Sequence, residues 1–273
     1  MADQPRQLTA PPHAAAHLLQ YHDLIESIVS ALDARDTYTA SHSNRVADMV
    51  LVLAAALGLD PDETALIHIA AHLHDIGKIA VSDAVLRKAG PLTADEWQEM
   101  RRHPVTGYNI LRRVADFQDI AVLVLHHHER WDGQGYPDGL SGADIPLGSR
   151  IIAVADSIDA MMSSRSYRAA MTGAACRCEI EKNSGIMYDP RVASAALAHW
   201  DTLISRYAAD TPRAPYFDRL MLERTRQTHD YLVAHQDSRI TLAELAAKFH
   251  LSQSSLKLCF KALYGVPVAA YLR

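Results

Sequence analysis

Cysteine is scarce in this chain: Cys176, Cys178 and Cys259 are the three among 273 residues. So small and odd a set excludes a disulfide framework and fits a reducing cytoplasm. Cys176 and Cys178 form a Cys-x-Cys, but no second thiol pair exists to complete a zinc site, so both read as ordinary helix positions. Long apolar runs are missing too. The longest, Met49 to Leu59, is shorter than the roughly 20 residues that cross a bilayer and reads as a buried helix. No membrane association is expected. The opening MADQPRQLTAPPH is polar and Pro-rich without an apolar stretch, so no secretory signal is expected either. Alternating strand patterns are scarce, which argues against a sheet-based fold.

What is present is helical periodicity. Leu18, Leu19, Ile25, Ile28, Val29 and Leu32 recur at threes and fours. Ser41 to Leu59, Asp62 to His74, Ala94 to Val114, Phe117 to His128 and Leu147 to Met162 read similarly. Thr93 with Glu96 at the third helical position predicts a capping box. The pattern implies an all-α bundle over residues 14–207, after a disordered N-terminus at 1–13. Residues 208–216 (AADTPRAPY) hold two prolines among small and polar neighbours and read as a linker. Residues 217–273 then form a second module: a helix from Phe217 to His235, a short helix opened by the capping box of Thr241, a turn at His250 to Ser252, and a helix from Gln253 to Tyr264. Net charge divides along the same line. From Pro212 onward nine Lys and Arg meet five Asp and Glu, a net of +4, which leaves −9 for the rest. An acidic body with a basic tail suggests two modules with different partners.

The chemistry concentrates in HHHERWDGQGYPDGL, residues 126 to 140. Adjacent His127 and His128 offer neutral imidazoles, the commonest transition-metal ligands. Gly133, Gly135 and Pro137 cannot continue a helix, so a ligand-bearing helix runs into a loop presenting Tyr136. Upstream, HLHDIGK places His74 and Asp75 side by side, about 100° apart on a helix, with Lys78 one turn on. His42 lies in TASHSNRV and His103 in RRHPVTGYNIL. Asp156 is embedded in the apolar helix RIIAVADSIDAMM, where an unpaired carboxylate would be costly. Lys78, Arg165 and Arg168 are cations placed to meet phosphate oxygens. His68, His72 and His126 are set aside as bystanders.

These separated motifs, in this order, resemble the HD-GYP family of HD-superfamily metal phosphodiesterases that hydrolyse cyclic di-GMP. The resemblance covers roughly residues 20 to 205, including NSGIMYDPRV, whose Gly185, Asp189 and Pro190 are read as structural. It implies an HD-superfamily helical bundle. It also implies one metal held by His42, His74, Asp75 and Asp156, and a second held by His103, His127 and His128, with Asp75 bridging as a catalytic residue. Tyr38 stands where some members have a third-site Glu, so two divalent ions are expected: Fe or Mn first, with Zn or Ni open. Lys78, Tyr136, Arg165 and Arg168 match substrate contacts, and Lys78 is expected to assist catalysis. The implied reaction is in-line hydrolysis of cyclic di-GMP by metal-activated water, giving linear pGpG and GMP after a second cut. Two alternatives stay open: an HD phosphohydrolase for another nucleotide, and a ligand-sensing transcription regulator.

The segment ITLAELAAKFHLSQSSLKLCFKALYGVPVAAYLR, residues 240 to 273, resembles the first half of an AraC-type DNA-binding domain. Leu242, Leu245, Ala246, Leu251, Leu256, Phe260 and Leu263 would form a small core. Ser254, Lys257 and Lys261 would line the exposed side of a recognition-like helix. That family has two helix-turn-helix units, so DNA contact by this one is expected to be weak. An accessory role in packing or homodimer formation is the equal alternative.

Overall fold

The computed structural model describes residues 22–35, 42–163, 170–207, 219–235, 240–264 and 267–272. These fall into two compact units, divided between Ala209 and Asp210. Both are helical, and the described residues contain no strand, only an isolated bridge between Ser184 and Tyr188. The all-α expectation is borne out.

In the first unit α1 (His22–Arg35), α2 (His42–Leu57) and α3 (Pro61–Leu73) come first. A 3-10 turn, Ile76–Ala80, leads to a short α4 (Asp83–Leu86), then α5 (Ala94–Met100), α6 (His103–Leu111) and α7 (Gln118–Leu125). After the Gly-Tyr-Pro loop come α8 (Leu147–Met162), α9 (Gly173–Lys182), α10 (Pro190–Ala198) and α11 (Trp200–Ile204). The apolar faces of α2, α3, α7 and α8 make the centre of the core, through Val50, Leu53, Ile67, Ile69, Ile120, Leu123, Ile151 and Ile152. Each such side chain, fully buried, contributes about 1.5–3 kcal/mol of transfer free energy. That scaffold is rigid enough to fix residues at its helix ends.

Local signals decide where helices start. Asp60 caps α3 by accepting from Asp62 N and Glu63 N, with Pro61 in the first turn. Thr93 and Glu96 form the expected capping box on α5. The expected single helix from Ala94 to Val114 is corrected to two. α5 stops at Met100 and α6 restarts at His103, with Pro104 in its first turn. Proline lacks the N–H that a continuous helix would need there. The helical placement of Asp75 and Lys78 is corrected too. His74 caps α3, Asp75 adopts φ −96° and ψ 4°, and Lys78 lies in the 3-10 turn.

Gly77 explains why that turn meets α6. A Cβ there would stand 1.8 Å from His103 O and 2.6 Å from Gly107 N, both backbone atoms. Only glycine allows the two segments to close this tightly.

In the second unit α12 (Arg219–Ala234), α13 (Leu242–Lys248) and α14 (Gln253–Tyr264) enclose Leu232, Leu245, Ala246, Leu256, Phe260 and Val268. Thr241 and Glu244 form the expected capping box on α13. The turn between α13 and α14 passes through His250 at φ 52°, and Ser252 Oγ accepts from Ser255 N at 3.0 Å. Leu242 and Leu251 pack at the core's edge. Lys257 and Lys261 are exposed on α14, whereas the side chains of Ser254 and Leu263 lie outside the described residues. No described helix of either unit is long and apolar enough to cross a membrane.

Candidate metal centre

Four helix ends and the middle of a fifth helix deliver the predicted ligands to one place. His42 opens α2, His74 and Asp75 follow α3, and His103 opens α6. His127 and His128 follow α7, and Asp156 projects from the middle of α8. Ligand atoms of His42, His74 and Asp75 lie within 4.8 Å of one another, and so do those of His103, His127 and His128. Asp75 joins the two groups: one carboxylate oxygen is 3.8 Å from His42 Nε2 and 3.4 Å from His74 Nε2, and the other is 3.4 Å from His103 Nε2. Asp156 Oδ1 lies 3.3 Å from His42 Nε2.

Each ring is aimed by its far nitrogen. His74 Nδ1–H donates to Ala71 O at 2.8 Å, His103 to Met100 O at 2.8 Å, and His127 to Val124 O at 2.6 Å. Those carbonyls belong to the last turns of α3, α5 and α7, where helix carbonyls lack intrahelical partners. His42 differs in using a side chain. Its Nδ1–H donates to Asp159 Oδ2 at 2.6 Å. Arg45 and Tyr207 also donate to Asp159. A carboxylate partner of this kind fixes the tautomer and orientation of an imidazole, as it does for histidines that bind metals.

The electrostatics suit a cation. Burial, with the neighbouring cationic groups His128 and Lys78, lowers the His103 pKa to about 3, and burial with the same kind of crowding lowers His128 to about 4. His127 is pushed well below its ordinary value by burial and by His128, His74 and His103. With Nδ1 donating and the ring neutral, the Nε2 atoms of His103 and His127 both present lone pairs, 3.3 Å apart. His74 Nε2 is buried and has no hydrogen-bond partner. Burial alone would raise the Asp75 carboxyl, but Lys78, His74 and His103 outweigh it and hold the group well below the carboxylate range. Asp156 likewise overcomes burial through the hydrogen bond from His42. Facing lone pairs, an orphaned imidazole nitrogen and two ionised carboxylates form a donor set for a divalent transition metal. The residues fit the group.

Around this cluster, Lys78 Nζ lies 2.6 Å from Asp75 Oδ2. Tyr136 stacks on His128 with ring centroids 4.9 Å apart, and Arg101 lies 5.2 Å over the Tyr136 ring. Burial and the nearby Asp156 and Asp75 raise the tyrosine's pKa, so it is a neutral phenol. Gly135 makes the loop possible. A Cβ there would stand 2.4 Å from Arg130 N and 2.5 Å from Glu129 Cα. Arg165, Arg168 and Tyr38 lie outside the described residues.

A family model described as HD domain matches residues 23–192. The chain belongs to the HD domain family. Among curated relatives, this HD domain chain is 42% identical over 177 residues to the cyclic di-GMP phosphodiesterase response regulator RpfG of Xanthomonas campestris, covering 64% of this chain and 47% of that protein. It is 38% identical over 185 residues to 3'3'-cGAMP-specific phosphodiesterase 2 of Vibrio cholerae, covering 67% and 35%. It is 40% identical over 184 residues to a cyclic di-GMP phosphodiesterase of Thermotoga maritima, covering 65% and 50%. The chain thus spans half or less of the length of these relatives. Among solved structures, a cyclic GMP-AMP specific phosphodiesterase of V. cholerae (V-cGAP3) aligns with TM-score 0.54 at 19% identity, over 90% of this chain and 71% of that one. That likeness speaks for the fold. The resemblance read from HLHDIGK and the Gly-Tyr-Pro loop is borne out.

Reading the sequence of this HD domain chain missed Asp159, Arg45, Tyr207 and Arg101. Asp159 was detectable, since it follows Asp156 by three residues and so shares its helix face. Arg45, three residues after His42, offered the same signal. Tyr207 and Arg101 approach only through tertiary packing. Asp189, expected to be structural, accepts from Arg191 N and pairs with Arg150 at 2.5 Å. Trp131 N donates to Met187 O and Asp132 N to Ile186 O, which ties that segment to the Gly-Tyr-Pro loop. His68 and His72 lie against each other, ring centroids 4.7 Å apart. Cys176 is buried and Cys178 exposed, and neither forms a disulfide.

Proposed function

We propose that residues 14–207 form a metal-dependent phosphodiesterase domain that hydrolyses cyclic di-GMP to linear pGpG, and onward to GMP. The single observation that carries the reading is the continuous donor set centred on Asp75, whose two oxygens face different histidine groups. We assign two divalent ions, one to His42, His74, Asp75 and Asp156, the other to His103, His127 and His128, with Asp75 shared. Fe or Mn suits this imidazole and carboxylate mixture first, then Zn or Ni. Ions held there would supply Lewis acidity toward the phosphate and activate water at neutral pH.

The protein's own residues do the rest. Asp75, ionised in a buried setting, holds the two histidine groups in one charge arrangement. Lys78 presents its ammonium beside Asp75 and meets charge that develops on the phosphate oxygens. Tyr136, neutral and braced on His128, flanks the phosphate-binding side, and the family resemblance assigns Arg165 and Arg168 to the substrate phosphates.

Relatives named for cyclic di-GMP and for 3'3'-cGAMP support a cyclic dinucleotide and leave a second reading, in which 3'3'-cGAMP is the substrate. Anaerobically purified full-length chain, loaded with Mn2+ or Fe2+, is assayed on both compounds. Faster turnover of cyclic di-GMP, abolished in Asp75→Ala, is expected. Metal-loaded protein that cleaves neither compound would overturn the proposal. For residues 217–273, after a linker at 208–216, we propose a weak, salt-sensitive DNA contact through Ser254, Lys257 and Lys261.

A further inference from the structure

His126 precedes the metal-centre pair by one residue, yet its partners are different. Its Nδ1–H donates to Val122 O at 3.0 Å, and its Nε2 faces Asp138 Oδ2 at 3.0 Å. A carbonyl only accepts, so a neutral ring in this pose turns a lone pair toward a carboxylate. An ion placed between the two atoms would be held by both. Glu129 adds a third donor. It is 3% exposed. Its Oε1 accepts from Asp138 N at 2.7 Å and Gly139 N at 3.1 Å. Its Oε2 is buried and has no hydrogen-bond partner. A buried carboxylate oxygen without a partner is unfavourable unless a cation offsets it. One ligand atom each from His126, Glu129 and Asp138 lies within 4.8 Å of the other two.

We propose that His126, Glu129 and Asp138 bind a divalent transition-metal ion of their own, which staples the Gly-Tyr-Pro loop to the end of α7. One imidazole and two carboxylates suit Mn2+ or Zn2+. The 3.0 Å spacing of His126 Nε2 and Asp138 Oδ2 matches two ligands on one ion with bonds of about 2.1 Å. Asp138, with a side chain 56% exposed, leaves the outward side to water. The ion has a structural job. It closes a loop that runs from Glu129 to Asp138 and carries Tyr136. Tyr136 N–H donates to His128 O at 3.2 Å, so tightening this loop fixes the tyrosine over the metal centre.

The test uses the full chain, stripped of metal, loaded with Mn2+ or separately with Zn2+, and freed of excess ion. Bound ion per chain is measured for the unaltered protein, Asp138→Asn and Glu129→Gln. Glu129→Gln keeps an acceptor for the loop amides, and Asp138 is exposed, so folding is preserved. Each variant is expected to bind one ion fewer than the unaltered protein. Amide hydrogen exchange over residues 133–139 should slow on adding ion in the unaltered protein and not in the variants. Equal ion content in the unaltered protein and Asp138→Asn, with both metals, would overturn the proposal and leave His126 and Asp138 as an ion pair. Asp75→Ala separates this site from the main centre. If Asp75→Ala keeps every ion, the reading of the main centre fails, while the difference made by Asp138→Asn still decides this one.

Discussion

Asp159 Oδ2 lies 2.6 Å from His42 Nδ1 and thereby anchors a ring whose other nitrogen faces Asp75 and Asp156. The carboxylate is nearly buried and is itself held by Arg45 and Tyr207. Against the cost of burial, the hydrogen bonds from His42 and Arg45 lower its pKa to about 2.

Asp159→Asn should therefore weaken metal retention. It preserves shape but removes the charge that orients His42. Loss of such an outer partner typically costs about 10–100-fold in metal affinity. A competition titration with a chelator checks this. An affinity equal to that of the unaltered chain would reduce Asp159 to a packing residue.

A pH effect follows in the metal-free chain. Burial would lower His42, but hydrogen bonds and charges from Asp156 and Asp159 raise it to about 10. A group raised in the fold stabilises it fully below its ordinary value of 6.5, and that stabilisation fades as pH rises through about 10. Asp159 contributes above its ordinary 3.8 and loses its contribution as pH falls through about 2. Thermal unfolding of stripped protein should show stability declining from about pH 6.5 upward, by at most ~1.4 kcal/mol per pH unit from this residue. His42→Ala should flatten that slope. Metal loading near pH 8 should release a proton that His42→Ala does not release.

Lys78→Ala should lower turnover of cyclic di-GMP by about 100-fold, the scale of one lost charge-stabilising donor. Metal content should stay unchanged, since a cation is not a ligand. Elemental analysis beside the turnover assay separates the two effects. Loss of ion would instead assign Lys78 to holding Asp75, its neighbour at 2.6 Å.

Gly77→Ala should destabilise the first unit by about 1–3 kcal/mol, the usual range for overpacking. The added methyl meets backbone at His103 and Gly107, which cannot rotate aside. Because His103 is a ligand candidate, ion content should fall as well. Thermal melts and ion counts on the same preparation check both.

Removing residues 212–273 should leave hydrolysis largely intact, because every assigned ligand and phosphate contact precedes the division between the two units. Any DNA binding by the full chain should be weak, with little sequence preference, and lost as salt rises. A turnover assay on the truncated chain and a DNA titration at several salt concentrations test this. Tight, sequence-specific binding at physiological salt would favour a regulator.

The candidate ligand set was legible in the sequence because a metal site restricts residue type severely, and each motif kept its own spacing. The capping boxes at Thr93 and Thr241 were legible because a cap acts within one turn. The break between Met100 and His103 was missed, although Pro104 marked it, because apolar periodicity ran across the gap. The grouping of His126 with Glu129 and Asp138 was missed for a different reason. Asp138 returns only because the loop folds back on Glu129, and no periodicity encodes that closure.

His74, His103 and His127 are steered by main-chain oxygen atoms. A substitution can remove a side chain but cannot delete a peptide carbonyl. Orientation of these three rings is therefore insensitive to drift in neighbouring residues, so long as the helix ends persist. His42 has no such insurance, because its tether is encoded by one replaceable codon. The easiest route by which gradual sequence change would loosen this cluster runs through Asp159, before any candidate ligand is touched.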